Sequence, residues 1–93
     1  MIVLMRNFQD PNYKKWRKEV YKRDHHKCQW PNCSISKSLN AHHIRTWAHY
    51  PGLRFDVNNG ITLCSQHHKM IKGLESIYES VFSKMILDKQ NDK

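Results

Sequence analysis

Two closely spaced pairs of cysteine and histidine residues limit the folds that this chain can adopt. The pairs are Cys28-x4-Cys33 and Cys64-x2-His67, and a long insert separates them. Each spacing lets two side chains converge on one tetrahedral zinc ion, and the set uses every cysteine of the chain. We therefore predict a structural zinc site, in which the neighbouring His68 could be the fourth ligand instead of His67.

A zinc site also suits the size of the chain. Its 93 residues allow one small domain, whose hydrophobic core alone gives marginal stability. Disulfides are rare in a reducing compartment, and an odd number of cysteines fits a disulfide framework badly. The alternative is three reduced, buried cysteines that act as small apolar side chains, but two correctly spaced pairs favour zinc.

Basic residues outnumber acidic residues by 16 to 8, which gives a formal net charge of +8. This balance points to a polyanionic partner, most often nucleic acid, although lysines on a solvated surface would produce the same excess. The apolar run at residues 1–5 is too short for a signal peptide or a membrane span. We therefore expect a cytoplasmic protein with no membrane partner.

The first predicted helix is basic and amphipathic. Asp10 can cap this helix, and Pro11 fits its first turn. Tyr13, Trp16 and Val20 then recur at helical spacing, with lysines and arginines between them. We expect the aromatic face to pack on the domain and the basic side chains to be solvated.

A hairpin and a short helix are predicted next. Residues 39–44 and 60–63 are typical of short strands, joined by a wide loop that turns at Pro51. Ser65 can cap a helix that stops at Gly73. These elements predict an α+β fold.

A final helix completes the single domain predicted over residues 1–93. We expect a core at about residues 16–73, a C-terminal amphipathic helix at 74–88, and a frayed polar tail at 89–93. The apolar face of the final helix is predicted from Ile77, Val81 and Met85, flanked by Phe82 and Ile86.

The most specific pattern lies in residues 41–44, 58–64 and 67–68, which contain Ala-His-His-Ile, Asn-Asn-Gly-Ile-Thr-Leu-Cys and His-His. This pattern resembles the HNH endonuclease family, in which a histidine ends the first strand, an asparagine begins the second and a last histidine opens the helix. The matching residues are His43, Asn59 and His68, with His42 in the position before the first.

The resemblance covers about residues 16–73, and the cysteine pairs match the zinc-bearing branch of the family. It implies a small ββα-metal (His-Me finger) domain with flanking N- and C-terminal helices. Two residues depart from that branch: His42 stands where aspartate is common, and His67 replaces a cysteine.

The activity implied by the resemblance is metal-dependent hydrolysis of DNA. Phosphodiester hydrolysis needs an activated water and charge neutralisation at the phosphate and leaving oxygen, which one base and one divalent cation can supply. His43 would be the general base, since imidazole titrates near pH 6.5. His42 and His68 would hold the cation, and Asn59 would fix the loop and orient His43 by a hydrogen bond.

Neighbouring side chains of a regular strand point to opposite sides, so His42 and His43 cannot both bind one ion. Which of them is the base is taken from the family pattern. Imidazole ligands suit transition metals better than magnesium. We therefore expect Mn²⁺, Ni²⁺ or Co²⁺ to support activity at least as well as Mg²⁺, beside the structural Zn²⁺.

Double-stranded DNA is the partner that the resemblance implies. Phosphate contacts from basic side chains give affinity without sequence information, so we expect low sequence specificity or a targeting partner. Because the chain has one such catalytic site, cutting one strand of the duplex is a simpler outcome than cutting both. The candidates for phosphate contacts, each of which could also be merely solvated, are Lys37, Arg45, Arg54, Lys69 and Lys72.

Small free-standing proteins that the chain resembles are encoded by phages and mobile elements and serve in genome packaging or homing, in the host cytoplasm. A larger protein of that element, or a second copy of the chain, would be a further partner. Two other functions stay open. One is a nucleic-acid-binding module that is stabilised by zinc and has no catalytic activity, so that His43 has no catalytic role. The other is an accessory subunit of a larger DNA-processing complex, docked through the final helix.

Overall fold

The computed structural model of the chain describes residues 7–91. The apolar run at residues 1–5 and the last two residues of the predicted tail lie outside this range. Within it, a two-stranded antiparallel sheet and three α-helices form the α+β fold that the sequence predicts. The elements are α1 (Pro11–Arg23), β1 (Leu39–His43), β2 (Gly60–Cys64), α2 (Ser65–Met70) and α3 (Glu75–Asn91).

Helix α1 begins and packs as predicted. The Asp10 carboxylate accepts a hydrogen bond from the Asn12 backbone N–H at 2.9 Å and so satisfies one free amide of the first turn. Tyr13, Trp16 and Val20 are buried on one face of the helix. This face packs against the hairpin and forms a core cluster with a strand residue, Ala41.

The closest approach of α1 to the hairpin is at Gly60, where Val20 and Trp16 leave no room for a side chain. Replacing Gly60 by alanine is therefore expected to destabilise the domain by about 1–3 kcal/mol. A Cβ at this position would lie 2.5 Å from Val20 Cγ2 and 2.7 Å from Trp16 Cζ2. Thermal unfolding followed by circular dichroism measures the loss. The control is Gly52→Ala, because a Cβ there meets no described atom within 4 Å. Equal melting temperatures for the two variants would contradict this account.

A buried ion pair joins the end of α1 to β2. Asp24 has no exposed surface and accepts hydrogen bonds from Arg23 Nε at 2.9 Å, Arg23 Nη2 at 2.8 Å and the Thr62 backbone N–H at 2.9 Å. The Arg23 guanidinium also donates to the carbonyl oxygens of Val57 and Gly60, at 2.7 and 2.6 Å. Both carboxylate oxygens of the buried Asp24 are thus hydrogen-bonded, as a buried charge requires.

The hairpin and α2 follow the predicted order. The strands pair antiparallel with Leu39 opposite Cys64, and the wide loop between them contains two short 3₁₀ turns. The predicted cap of α2 is wrong by one residue. Cys64 is the N-cap, while Ser65 is the first helical residue and its hydroxyl donates to the Ser38 carbonyl. Gly73 has φ of 84°, the left-handed conformation expected after the helix.

The apolar face predicted for α3 is wrong in part. The flanking residues Phe82 and Ile86 are buried and Met85 packs against the core, whereas Ile77 and Val81 are 64% and 48% exposed. Residues 78, 82 and 86 form one stripe at four-residue spacing, and residues 77, 81 and 85 form another that is rotated by about 100°. Both stripes have the same period, so periodicity alone could not choose between them. The aromatic stripe packs against the core.

Other boundaries at the C-terminus also differ from expectation. Helix α3 continues to Asn91, so residues 89–91 are helical rather than frayed. Phe82 and Ile86 join the cluster around the hairpin, as a C-terminal amphipathic helix requires. Within residues 7–91, no helix combines the length and the apolarity that a membrane crossing needs.

Candidate functional site

Four side chains with metal-binding atoms converge beside the hairpin. One ligand atom from each of Cys28, Cys33, Cys64 and His67 lies within 4.8 Å of the others. His67 Nδ1 is 3.3 Å from Cys64 Sγ and 3.5 Å from Cys28 Sγ. Three thiols and one imidazole are a donor set that suits tetrahedral zinc, so this group could hold a metal ion.

Local structure brings these four side chains together. In the loop before β1, the Cys33 backbone N–H donates to the Trp30 carbonyl, which closes a tight turn. Cys64 ends β2, and His67 lies in the first turn of α2. The His67 ring stacks on Trp30, with ring centres 4.7 Å apart and planes 6° apart. Of the two neighbouring histidines in α2, it is therefore His67 that the structure places among the cysteines.

The protein environment acts differently on the two buried thiols. Burial raises the pKa of the Cys28 thiol to about 11. Burial also tends to raise the pKa of Cys64, but backbone N–H groups of α2 and the neighbouring thiols outweigh it, and that pKa is lowered. The hydrogen bond from the His67 backbone is the largest lowering influence. A bound divalent cation would deprotonate both thiols, since its charge stabilises thiolate directly.

A second group of side chains lines a cleft that runs along β1. His42, His43 and His68 line one cleft of about 420 Å³. The rings of His42 and His68 have their centres 5.5 Å apart, and His42 also meets Phe82. His43 instead stacks on Trp16, so the two neighbouring histidines of β1 have different ring partners.

The His43 imidazole is held on two sides. Its ring lies 3.9 Å from the Trp16 ring, centre to centre, with planes 12° apart. Its Nε2 donates a hydrogen bond to the Arg54 carbonyl oxygen at 2.9 Å. A neutral imidazole that donates from Nε2 has its basic lone pair on Nδ1. This ring is therefore held in one tautomer, with Nδ1 as the atom that can accept a proton.

Asn59 is buried and holds the wide loop. Its Oδ1 accepts from the Arg45 backbone N–H at 2.8 Å, and its Nδ2 donates to the carbonyls of Arg45 and Leu53 at 3.0 and 3.2 Å. The expected hydrogen bond to His43 is thus replaced by bonds to the loop backbone. Leu53 precedes Arg54, whose carbonyl accepts from His43, so Asn59 acts on the imidazole through the loop.

Two charged residues of the cleft were missed by the sequence reasoning. Arg17 and Glu75 line the same cleft as the three histidines. Arg17 was assigned to a solvated basic face, although it follows Tyr13 by one helical turn and lies 5.8 Å from that ring. Glu75 begins α3, and no local sequence pattern indicates that this helix returns to the hairpin.

The two arginines predicted to contact phosphate also contact other parts of the domain. Arg45 forms an ion pair with Glu79. Arg54 donates from Nε to the Trp47 carbonyl at 2.8 Å and lies over the Trp47 ring, 4.5 Å from its centre. Both guanidinium groups therefore already interact with other residues of the domain.

The three predicted lysines are in a different situation, since all of them are exposed. They lie in the loop before β1, in α2 and in the turn after α2. Exposed lysines of α1 add to the basic surface, which gives the domain a long-range attraction for polyanions. The predicted lysines are Lys37, Lys69 and Lys72, and those of α1 are Lys14, Lys15, Lys18 and Lys22.

Comparison with known proteins returned one finding. A family model described as HNH endonuclease matches residues 23–72, more than half of the 93 residues. The matched segment includes the thiol and imidazole group, the hairpin and the three histidines of the cleft. It leaves out α3 and nearly all of α1. No curated protein and no solved structure matches the chain.

Proposed function

Since the chain belongs to the HNH endonuclease family, we propose that it is a metal-dependent endonuclease that hydrolyses phosphodiester bonds of double-stranded DNA. The observation that carries the proposal is the cleft in which His42, His43 and His68 lie together. A non-catalytic DNA-binding module would have no need of an imidazole held in one tautomer at the end of a strand.

His42 and His68 are the residues that would hold the catalytic cation. With metal–nitrogen bonds of about 2.0–2.1 Å, two imidazoles on one ion have their ring centres roughly 4.5–6.4 Å apart. The observed separation of 5.5 Å between ring centres fits this range. When bound, the cation neutralises charge on the phosphate and on the leaving oxygen. Imidazole donors favour Mn²⁺, Ni²⁺ or Co²⁺ over Mg²⁺.

His43 would be the general base of the reaction. Its Nδ1 takes the proton of the attacking water, while the hydrogen bond from Nε2 to the Arg54 carbonyl stabilises the imidazolium that results. Trp16 holds the ring plane by stacking. Asn59 is a positioning residue, because it ties down the loop that supplies the Arg54 carbonyl.

We assign structural zinc to Cys28, Cys33, Cys64 and His67. All four coordination positions are then filled by protein, which leaves none for water or substrate. The zinc would fix the first turn of α2, where His68 follows His67 directly. The structural ion would thereby help to place a ligand of the catalytic cation.

Phosphate contacts in this proposal come from Lys37, Lys69 and Lys72, with Arg45 and Arg54 contributing charge from within the loop. These contacts supply affinity that falls steeply with salt and carries no sequence information. The protein would therefore cut DNA with low sequence specificity. One cleft in the chain makes nicking the primary event.

Replacing His68 by alanine is expected to lower the nicking rate by at least about 100-fold, because the cation loses one of its two imidazole ligands. The assay follows conversion of supercoiled plasmid to the nicked form with Mn²⁺, Ni²⁺, Co²⁺ or Mg²⁺, using zinc-loaded protein without chelator. His49→Ala is the matched control, since His49 is an exposed histidine of the loop. If wild-type protein binds the plasmid but cuts it with none of these cations, the chain is a binding module.

A further inference from the structure

The cleft contains one acidic side chain, Glu75, that forms no ion pair with the described residues. Glu75 is half-buried and lines the cleft together with His42 and His68. Among residues 7–91, no hydrogen bond or ion pair involves its carboxylate. Glu79, one turn later on α3, is instead paired with Arg45. A negative charge without a direct ion-pair partner among these residues therefore lies where a DNA phosphate would enter, with Arg17 elsewhere in the same cleft.

A purely structural role does not explain this placement. A carboxylate in the first turn of an α-helix is stabilised by the helix dipole, and α3 is long enough for that effect. The same benefit would be available to a carboxylate that faces solvent. In a cleft for a polyanion, the negative charge opposes binding unless a cation compensates it. The position of Glu75 thus points to a cation in the cleft.

We propose, on the premise of the nuclease function above, that Glu75 is a positioning residue for the catalytic cation and acts through a water molecule. Two imidazoles alone suit Mg²⁺ poorly, and hard cations are usually bound by carboxylates together with several waters. Among the described residues, three or more ligand atoms within 4.8 Å of one another occur only in the cysteine and His67 group, so Glu75 does not form such a cluster with His42 and His68. Glu75 is therefore assigned to the water shell of the ion and not to direct coordination.

This assignment gives Glu75 two opposite effects. With the cation bound, the carboxylate strengthens cation binding by accepting a hydrogen bond from its water. Without the cation, the same charge repels the DNA backbone from the cleft. The cleft should therefore bind DNA well only when the cation is present.

The test compares zinc-loaded wild-type protein with Glu75→Gln. Binding of Mn²⁺ without DNA is followed by electron paramagnetic resonance, and DNA affinity without added cation by fluorescence anisotropy. Because loss of an outer-shell partner weakens metal binding by about 10–100-fold, we expect Mn²⁺ affinity to fall by about tenfold. DNA affinity without cation should rise a few-fold. A variant with a disturbed fold would lose both affinities together.

Two further variants separate the effect of the Glu75 charge from the effect of losing any carboxylate. Glu19→Gln is the matched control, because Glu19 is an exposed carboxylate of α1 that does not line the cleft. It should bind Mn²⁺ like wild-type protein. Glu75→Asp keeps the charge and should restore part of the Mn²⁺ affinity and the full repulsion of DNA.

The results separate this inference from the nuclease proposal. If Glu75→Gln binds Mn²⁺ as tightly as wild-type protein while wild-type protein nicks plasmid, the role of Glu75 is wrong and the nuclease function stands. If wild-type protein neither nicks plasmid nor loses Mn²⁺ affinity on His68→Ala, the nuclease proposal itself is overturned.

Discussion

Replacement of Cys64 by serine should leave a chain that no longer folds cooperatively at 25 °C. Structural zinc contributes about 10–16 kcal/mol of binding free energy in small zinc domains, whereas a small domain has a net stability of only about 5–15 kcal/mol. Cys64 lies at the junction of β2 and α2, so its loss would also release the short helix. Chelation of zinc from wild-type protein should have the same effect.

Circular dichroism and zinc analysis measure this result. The matched control is His67→Cys, which exchanges one zinc ligand for another and should keep both the ion and a cooperative melting transition. His68→Ala should also keep zinc, because His68 lies in the cleft and not among the cysteines. Wild-type protein that folds cooperatively without zinc would show that the ion is not part of the fold.

Replacement of His43 by alanine should lower the rate of DNA hydrolysis by about 10²–10⁴-fold, the usual contribution of a general base. DNA affinity should stay within about twofold, because phosphate contacts dominate affinity. His43 is buried at the end of β1 and makes no exposed basic surface. The loss should therefore fall on the chemical step.

Single-turnover nicking of supercoiled plasmid measures that step, and anisotropy with labelled duplex measures affinity. His49→Ala controls for the loss of an imidazole from the basic loop surface. Melting curves of both variants test for a folding defect, because the space vacated beside Trp16 costs some stability. Equal nicking rates for His43→Ala and wild-type protein would assign the base to another residue.

Features that depend on short stretches of chain were predictable from the sequence. The cap of α1, its buried aromatic face and both strands follow from local residue chemistry, and the structure confirms them. The spacing of Cys28 and Cys33, and of Cys64 and His67, is also local. Convergence of the two pairs on one point requires the hairpin, whose register brings Leu39 opposite Cys64.

Features that depend on tertiary packing were not predictable. The buried face of α3 is decided by where the helix meets the hairpin, and two stripes of equal period were available. Asn59 bonds to the loop backbone because two 3₁₀ turns bring carbonyl groups to its amide, and no pattern in the loop sequence specifies those turns. Arg17 and Glu75 line the same cleft although 57 residues lie between them in the sequence.

The stacking of His43 on Trp16 limits how far this domain could be shortened from its N-terminus. Trp16 also donates from its indole N–H to the Asp56 carbonyl, so one residue upstream of the family-matched segment touches both the imidazole and the loop. A fragment cut at residue 23 would keep every residue of the family pattern. It would nevertheless lack the aromatic ring on which His43 stacks.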